Sequence, residues 1–326
     1  MAPNRKKLML PKTLARAGWD LLATRDDVEA VPYPIDIANA DLHPLLHDVH
    51  GIALAATPFS DPELKAAPQL KVVARIGVGF DAVDLPALTR RRVPLLTVGI
   101  ANSVTVAETA LFFMLTLARR GAALDAMVRK DQWWEKFRAL PVDLFEKTVL
   151  IVGFGRIGTR IARRCLGMEM TVLVYDPYVR AEAIRAAGCE PVADLDAALP
   201  RADFLTLHCP KNPETIGIIN AARLRRMKPT AFLVNTARGG IVDEPALHAA
   251  LSSGKLAGAG LDVFVKEPVP ADHPLLSLPN VMVSPHIAGG SVESVDRMAV
   301  AAVRNLLSVL DGAPIRENVV NKEALD

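Results

Sequence analysis

The stretch that decides the fold runs from Thr148 to Asp176 and reads TVLIVGFGRIGTRIARRCLGMEMTVLVYD. Its apolar, β-branched start, Val149 to Val152, is bounded by glycine and predicts a buried parallel strand. Gly153, Gly155 and Gly158 follow at G-x-G-x-x-G spacing, with Arg156 and Ile157 inside the motif. Ile157, Ile161 and Ala162 then recur at helical spacing, and a second strand, Thr171 to Tyr175, ends in Asp176. In such a unit the first glycine permits the tight turn. The second lets a pyrophosphate approach the backbone, and the third lets helix and strand pack closely. The helix N-terminus adds unpaired N–H groups and a positive dipole. Asp176 stands where a carboxylate binds the adenine-side ribose hydroxyls and repels a 2′-phosphate, so the expected cofactor is NAD.

Working outward, the 326 residues are enough for two domains with separate cores. Apolar residues make up 51% and charged ones 23%, a globular composition, and the net charge of +2 is dispersed. That balance gives no reason to expect nucleic acid or an anionic membrane as partner. The longest apolar stretch, Thr109 to Ala118, stops at Arg119-Arg120 and is too short to span a bilayer. The basic N-terminus lacks an apolar h-region, so no signal peptide is expected. Cys165, Cys189 and Cys209 fall in no paired motif, which suits a reducing, cytoplasmic setting.

Before the glycine motif, short strands are expected at Lys7–Leu10, Val31–Tyr33, Gly51–Ala55, Lys71–Ile76 and Pro94–Val98. Helices are expected at Asp41–Val49 and Leu85–Arg91. Repeated β-then-α order predicts a parallel sheet covered by helices, here in a domain of its own. His43, His47 and His50 would share one face of the first helix, but no cysteine or suitably spaced acid joins them, so no metal is expected. In Arg75 to Leu85, a strand runs into a turn where Gly77 and Gly79 could present N–H groups to an anion. A long helix follows Asn102 and Ser103. Thr105 and Glu108 fit a capping box, with Asn102 or Ser103 as alternative N-caps, and Val106 to Leu117 should be buried. Trp133, Trp134 and Phe137 lie in an irregular segment and suggest an interface. After Asp176, strands are expected at Phe204–His208, Ala231–Asn235, Ala259–Val263 and Val281–Ser284, and an amphipathic helix between Ser291 and Leu310.

Three ionisable residues stand at the ends of consecutive late strands: Arg238, Glu267 and His286. In a doubly wound sheet these ends line the ligand crevice. Arginine can grip a carboxylate with its planar fork. Histidine can protonate the oxygen on which charge grows during hydride transfer, and a neighbouring glutamate would orient the ring and favour its charged form.

With these residues the chain resembles the D-isomer-specific 2-hydroxyacid dehydrogenase family, whose members include phosphoglycerate dehydrogenase and glyoxylate/hydroxypyruvate reductase. The motifs that carry the resemblance are RIGVGFDAVD, VAETA, IVGFGRIG, LHCPKNPET, LVNTARGGIVDE, GLDVFVKEP and SPHIAGGS. The resemblance implies an α/β protein of two doubly wound parallel-sheet domains. One is a Rossmann dinucleotide-binding domain, residues 102–291. The other is a flavodoxin-like substrate domain, discontinuous over 1–101 and 292–326, with the substrate bound between the two. It makes Arg238, Glu267 and His286 catalytic, and gives Val78, Gly79 and Arg238 to the substrate. To the cofactor it gives Gly153, Gly155, Arg156, Ile157, Gly158, Asp176, Pro210, Thr215, Ala237, Asp262 and Gly289. Leu54 stands where phosphoglycerate dehydrogenases often carry arginine, which speaks against that substrate. The expected activity is NAD-dependent interconversion of a 2-oxo acid and a D-2-hydroxy acid by a cytoplasmic homodimer. The alternative is an NAD(H)-dependent, corepressor-like binding module with little turnover.

Overall fold

The apolar runs become strands of two all-parallel sheets. A computed structural model describes residues 5–55, 57–138 and 140–326 of the chain. The chain divides into two compact units, Met1–Asn102 with Gly290–Asp326, and Ser103–Gly289. The sequence-based divisions, after residue 101 and before residue 292, differ from these by one and two residues. Residues 1–4 of the expected first segment lie outside the described residues.

In the first unit the strands are β1 (Lys6–Pro11), β2 (Val28–Tyr33), β3 (Gly51–Leu54), β4 (Val72–Arg75) and β5 (Leu95–Leu96). Their order is β2-β1-β3-β4-β5, the flavodoxin-like doubly wound arrangement. Period-two alternation splits each strand between two cores. Met9, Ile52, Leu54 and Val73 pack beside Leu42, Leu46 and Leu64 from the helices Asn39–Leu46 and Asp61–Ala66. Leu8, Leu10, Ala53 and Val72 face the other way, against Ala299, Ala302, Val303 and Leu306. Those four belong to the helix Val292–Leu310, whose N-cap Ser291 accepts the Ser294 N–H at 3.1 Å. The last long helix thus completes the N-terminal sheet's core.

The second unit holds β6 (Thr148–Val152), β7 (Thr171–Tyr175), β8 (Glu190–Pro191), β9 (Phe204–Leu207), β10 (Phe232–Asn235), β11 (Gly258–Leu261) and β12 (Val281–Val283). Their order, β12-β11-β10-β9-β6-β7-β8, places β6 at the point where the winding reverses. That is the Rossmann arrangement with one further strand. The helix Ser103–Arg119 lays Ala107, Ala110, Phe113 and Met114 on one face of this sheet, beside Ile151, Val174 and Phe204. Phe113 sits so close to β11 that a Cβ on Gly260 would lie 2.8 Å from it.

Several local expectations are corrected. The long helix begins at Ser103, so Thr105 lies inside it and cannot be its N-cap, while Glu108 pairs with Arg164 at 2.9 Å. Its apolar run is not buried throughout, because a helix facing one sheet leaves an outer side, where Phe112 is 52% exposed. The helix over His43 ends at Leu46, so His47 and His50 lie beyond it and no shared helical face forms. His43 instead meets Glu63 at 2.9 Å, and His50 Nδ1 accepts the Lys7 N–H at 3.1 Å. Among the described residues, no group of three or more His, Cys, Asp or Glu is placed to hold a metal ion. No helix among them is long and apolar enough to cross a membrane.

Candidate active site

The end of β6 carries the glycine turn. Gly153 has φ +96°, and a Cβ there would lie 2.6 Å from the Cys209 nitrogen and 2.8 Å from the His208 carbonyl oxygen. A Cβ on Gly158 would lie 2.0 Å from the Gly153 oxygen. The first and third glycines are therefore demanded by the protein's own packing. Gly155 differs: it is exposed, and a Cβ there would meet nothing within 4 Å. Its bare backbone faces open space at the start of the helix Gly158–Gly167, a fit for a pyrophosphate approaching a helix N-terminus. Arg156 and Ile157 complete the turn.

Asp176, at the end of β7, is fixed beside this turn. One carboxylate oxygen accepts the Phe154 N–H at 2.7 Å and the other the Tyr178 N–H at 2.9 Å. Beyond β9, Thr215 Oγ donates to the Pro210 carbonyl at 2.6 Å, closing the loop that carries both. His208, just before that loop, shares a 2.9 Å hydrogen bond with Thr206, and burial pushes its pKa down to about 3, so its ring is neutral.

The ends of β10, β11 and β12 carry the ionisable residues. Buried Asn235 pins the turn after β10: its amide donates to the Arg238 carbonyl at 2.9 Å and its oxygen accepts the Ala237 N–H at 3.0 Å. Arg238 in turn donates to the Ala237 carbonyl at 2.6 Å. At the next position a Cβ on Gly239 would lie 1.9 Å from the Phe264 oxygen, so only glycine lets the turns after β10 and β11 touch backbone to backbone.

Asp262, 1% exposed, ties the turn after β12 to β11. Its carboxylate accepts Ser284 Oγ–H at 2.5 Å and the N–H groups of Ile287 and Ala288 at 2.8 and 2.9 Å, while its carbonyl accepts the His286 N–H at 2.8 Å. These bonds hold His286 at φ +51°, a left-handed backbone that is uncommon for a non-glycine residue. Gly289 follows directly, after an Ala288 carbonyl that accepts Thr109 Oγ–H at 3.0 Å. His286 Nδ1 lies 2.6 Å from Glu267 Oε2, and Glu267 Oε1 accepts the Phe264 N–H at 2.9 Å. With Nδ1 engaged, Nε2 is the nitrogen left to exchange a proton with anything outside the protein.

The turn after β4, in the first unit, holds Val78 and Gly79. Arg75 Nε donates to the Gly79 carbonyl at 2.8 Å, and among the described residues the N–H groups of Val78 and Gly79 meet no acceptor. Leu54 does not stand at a binding position. It is fully buried in the core with Tyr33 and Phe59, so the side chain there cannot report on phosphoglycerate.

Sequence reasoning passed over several residues of these turns. Asn235, Ser284, Glu244 and His273 are tied into them; the first three stand inside the quoted motifs but were given no role. Asn102 Oδ1, Ser103 Oγ and Thr236 Oγ1 are buried polar atoms with no hydrogen-bond partner among the described residues. The one available signal was Asn-Ser at a helix start, which reads equally as a cap.

Residues 111–288 match the family profile described as D-isomer specific 2-hydroxyacid dehydrogenase, NAD binding domain. The chain is 40% identical to a glyoxylate reductase of Korarchaeum cryptofilum over 84% of its own length and 83% of that protein's. It is 38% identical to a D-3-phosphoglycerate dehydrogenase of Archaeoglobus fulgidus over 81% of its length, but spans only 49% of that relative. In three dimensions it resembles a D-lactate dehydrogenase of Aquifex aeolicus complexed with NAD and lactic acid. The TM-score is 0.86 at 28% identity, over 96% of this chain and 99% of that one.

Proposed function

This chain belongs to the D-isomer-specific 2-hydroxyacid dehydrogenase family, and we propose that it is an NAD-dependent oxidoreductase interconverting a 2-oxo acid and its D-2-hydroxy acid. The observation that carries the reading is the 2.6 Å contact of His286 Nδ1 with Glu267, which commits one ring nitrogen and leaves Nε2 for the substrate oxygen. NAD, when bound, accepts or supplies the hydride. Gly153, Gly155, Arg156, Ile157 and Gly158 would hold its pyrophosphate, and Asp176 its adenine-side ribose. Pro210, Thr215, Ala237, Asp262 and Gly289 would line the rest of its path. Arg238 would grip the substrate carboxylate, and the turn of Val78 and Gly79, taken by itself, presents N–H groups that suit an anion. His286 Nε2 gives its proton to the carbonyl oxygen in reduction and takes it back in oxidation.

NAD is preferred to NADP in this reading, because a 2′-phosphate would meet the Asp176 carboxylate and no cation lies beside it in Pro177-Tyr178. The segment Trp133–Phe137 forms a short 3₁₀ helix with Trp134 84% and Phe137 74% exposed, which supports a homodimer using this face. The protein would work in the cytoplasm. NADH oxidation with a panel of 2-oxo acids tests the activity: turnover on at least one is expected. Tight NADH binding with turnover on none would favour a corepressor-like binding module instead. Equal catalytic efficiency with NADPH would remove the cofactor preference, and a monomer in sedimentation at micromolar concentration would remove the dimer.

A further inference from the structure

A second carboxylate–imidazole pair stands behind the first. Glu244, at the start of the helix Glu244–Ser252, meets His273 Nε2 at 3.2 Å through one oxygen and accepts the Val265 N–H at 2.6 Å through the other. Both side chains are largely buried, 13% and 19% exposed, and the His273 ring stands edge-on to Phe264 with centroids 5.6 Å apart. The Val265 N–H is adjacent in the chain to the Phe264 N–H that Glu267 holds. Consecutive amides of one short loop are thus each fixed by a carboxylate, one from inside the loop and one from outside. The same two residues lie against Gly239, beside Arg238.

We propose that Glu244, oriented by His273, is a positioning residue that fixes the 264–267 loop so that Glu267 meets His286 Nδ1. Among the described residues Glu267 bonds only to its own loop and to His286, the group that it must meet, so a further tie from elsewhere in the unit sets where the loop stands. Glu244 supplies that tie, because it projects from a different element. Its hydrogen bond to Val265 and the Gly239 contact are the two fixed points on either side of the loop's start. The His273 ring donates from Nε2 and keeps the Glu244 carboxylate turned towards the loop. Its own Nδ1 is buried and unpartnered among the described residues.

Glu267 lies against the His286 ring, Asp262 beneath its backbone, Lys266 in the loop itself, Arg238 and Lys211 on neighbouring turns, and Glu244 with His273 behind the loop. Of these, among the described residues, only Glu267 is hydrogen-bonded to the imidazole. A loop released from Glu244 therefore acts on His286 through Glu267.

This positioning role rests on the His286–Glu267 contact proposed above to serve the chemistry. Histidine ring resonances can be followed by NMR against pH in the full chain, which needs no turnover. In Glu244→Ala the His286 midpoint should move to lower pH, since its carboxylate neighbour is no longer held. Glu244→Gln keeps an acceptor for the Val265 N–H and should restore most of the wild-type midpoint. In turnover, Glu244→Ala should lose about tenfold in kcat for 2-oxo acid reduction, within the ~100-fold that a 1 Å misplacement can cost, with NADH affinity unchanged. Its reduction should also fail at lower pH than wild type. A Glu244→Ala protein, or Glu244→Met if the alanine variant does not fold, with lowered melting temperature but an unmoved His286 midpoint would overturn the proposal and leave Glu244 a stability residue only. A moved midpoint in a chain that turns over no 2-oxo acid would keep the positioning role and overturn the proposed activity.

Discussion

Each unit of the chain contains a histidine against a glutamate, and His43–Glu63 in the first and His286–Glu267 in the second use the same groups to opposite ends. In the first unit His43 meets Glu63 at 2.9 Å, and the glutamate side chain is 2% exposed. The other Glu63 oxygen accepts both the N–H and the Oγ–H of Ser60 at 2.8 Å, closing the start of the helix Asp61–Ala66. In the second unit the contact is shorter, 2.6 Å, yet the imidazole is 48% and the carboxylate 35% exposed. Glu63 spends its oxygens on fixing one helix to another. Glu267 spends one on its own loop and one on His286, whose remaining nitrogen points to no protein acceptor among the described residues. A carboxylate–imidazole contact therefore does not by itself mark chemistry. What separates the pairs is whether the second ring nitrogen is left at the carboxyl end of a parallel sheet, beside a cofactor turn.

The largest effect should come from the exposed pair. His286→Ala should lose about 10²–10⁴-fold in turnover, the usual worth of general acid–base assistance, with NADH still binding in a fluorescence titration. His43→Ala in the same assay should leave turnover as it was. If the two variants behave alike, the distinction drawn here fails. Arg238→Lys comes next. It lies outside both pairs and should cost roughly tenfold in kcat/KM, equivalent to ~1.4 kcal/mol, because lysine cannot present a planar fork to a carboxylate. A smaller shift is expected for Glu267→Gln, which should keep measurable turnover but lose reduction at lower pH than wild type.

The smallest effect is on stability. Burial pushes the Glu63 carboxyl up, but the hydrogen bonds from His43 and Ser60 outweigh it and hold it below its ordinary value of 4.5. A depressed carboxyl stabilises the fold above that ordinary value, and the contribution is lost as pH falls through the lower folded-state value. Glu63→Gln should thus cost about 1–3 kcal/mol at neutral pH and less in acid, read by denaturant unfolding, with turnover unchanged. Equal destabilisation at both pH values would mean that packing, not charge, holds this corner.

Much of this was legible in the chain because each signal had one physical cause. Gly153 and Gly158 are glycines by contact, and strand runs such as Val149 to Val152 have no polar face to hide. Arg238, Glu267 and His286 were readable since each stands in the turn that follows a late strand. Other features left no such mark. The strand Glu190–Pro191 is two residues at a sheet edge, too short for any period. The helix Gly121–Arg129 buries none of its residues, so its pattern carries no core stripe. Glu244 looked like an ordinary acid, because what it does depends on which N–H group a distant turn brings to it. The Thr105 expectation failed for a related reason: a cap motif and a helical interior share the same residues, and packing of Ser103 decides between them.

The most direct test of the central claim is the pH dependence of both directions in the wild-type protein. Reduction takes a proton from His286 and oxidation returns it, so the imidazole must be charged for one and neutral for the other. The rate of 2-oxo acid reduction should fall, and the rate of D-2-hydroxy acid oxidation should rise, as pH increases through one shared transition. Both limbs should vanish in His286→Ala. Limbs of the same sign in the two directions, or limbs that persist without His286, would contradict the account.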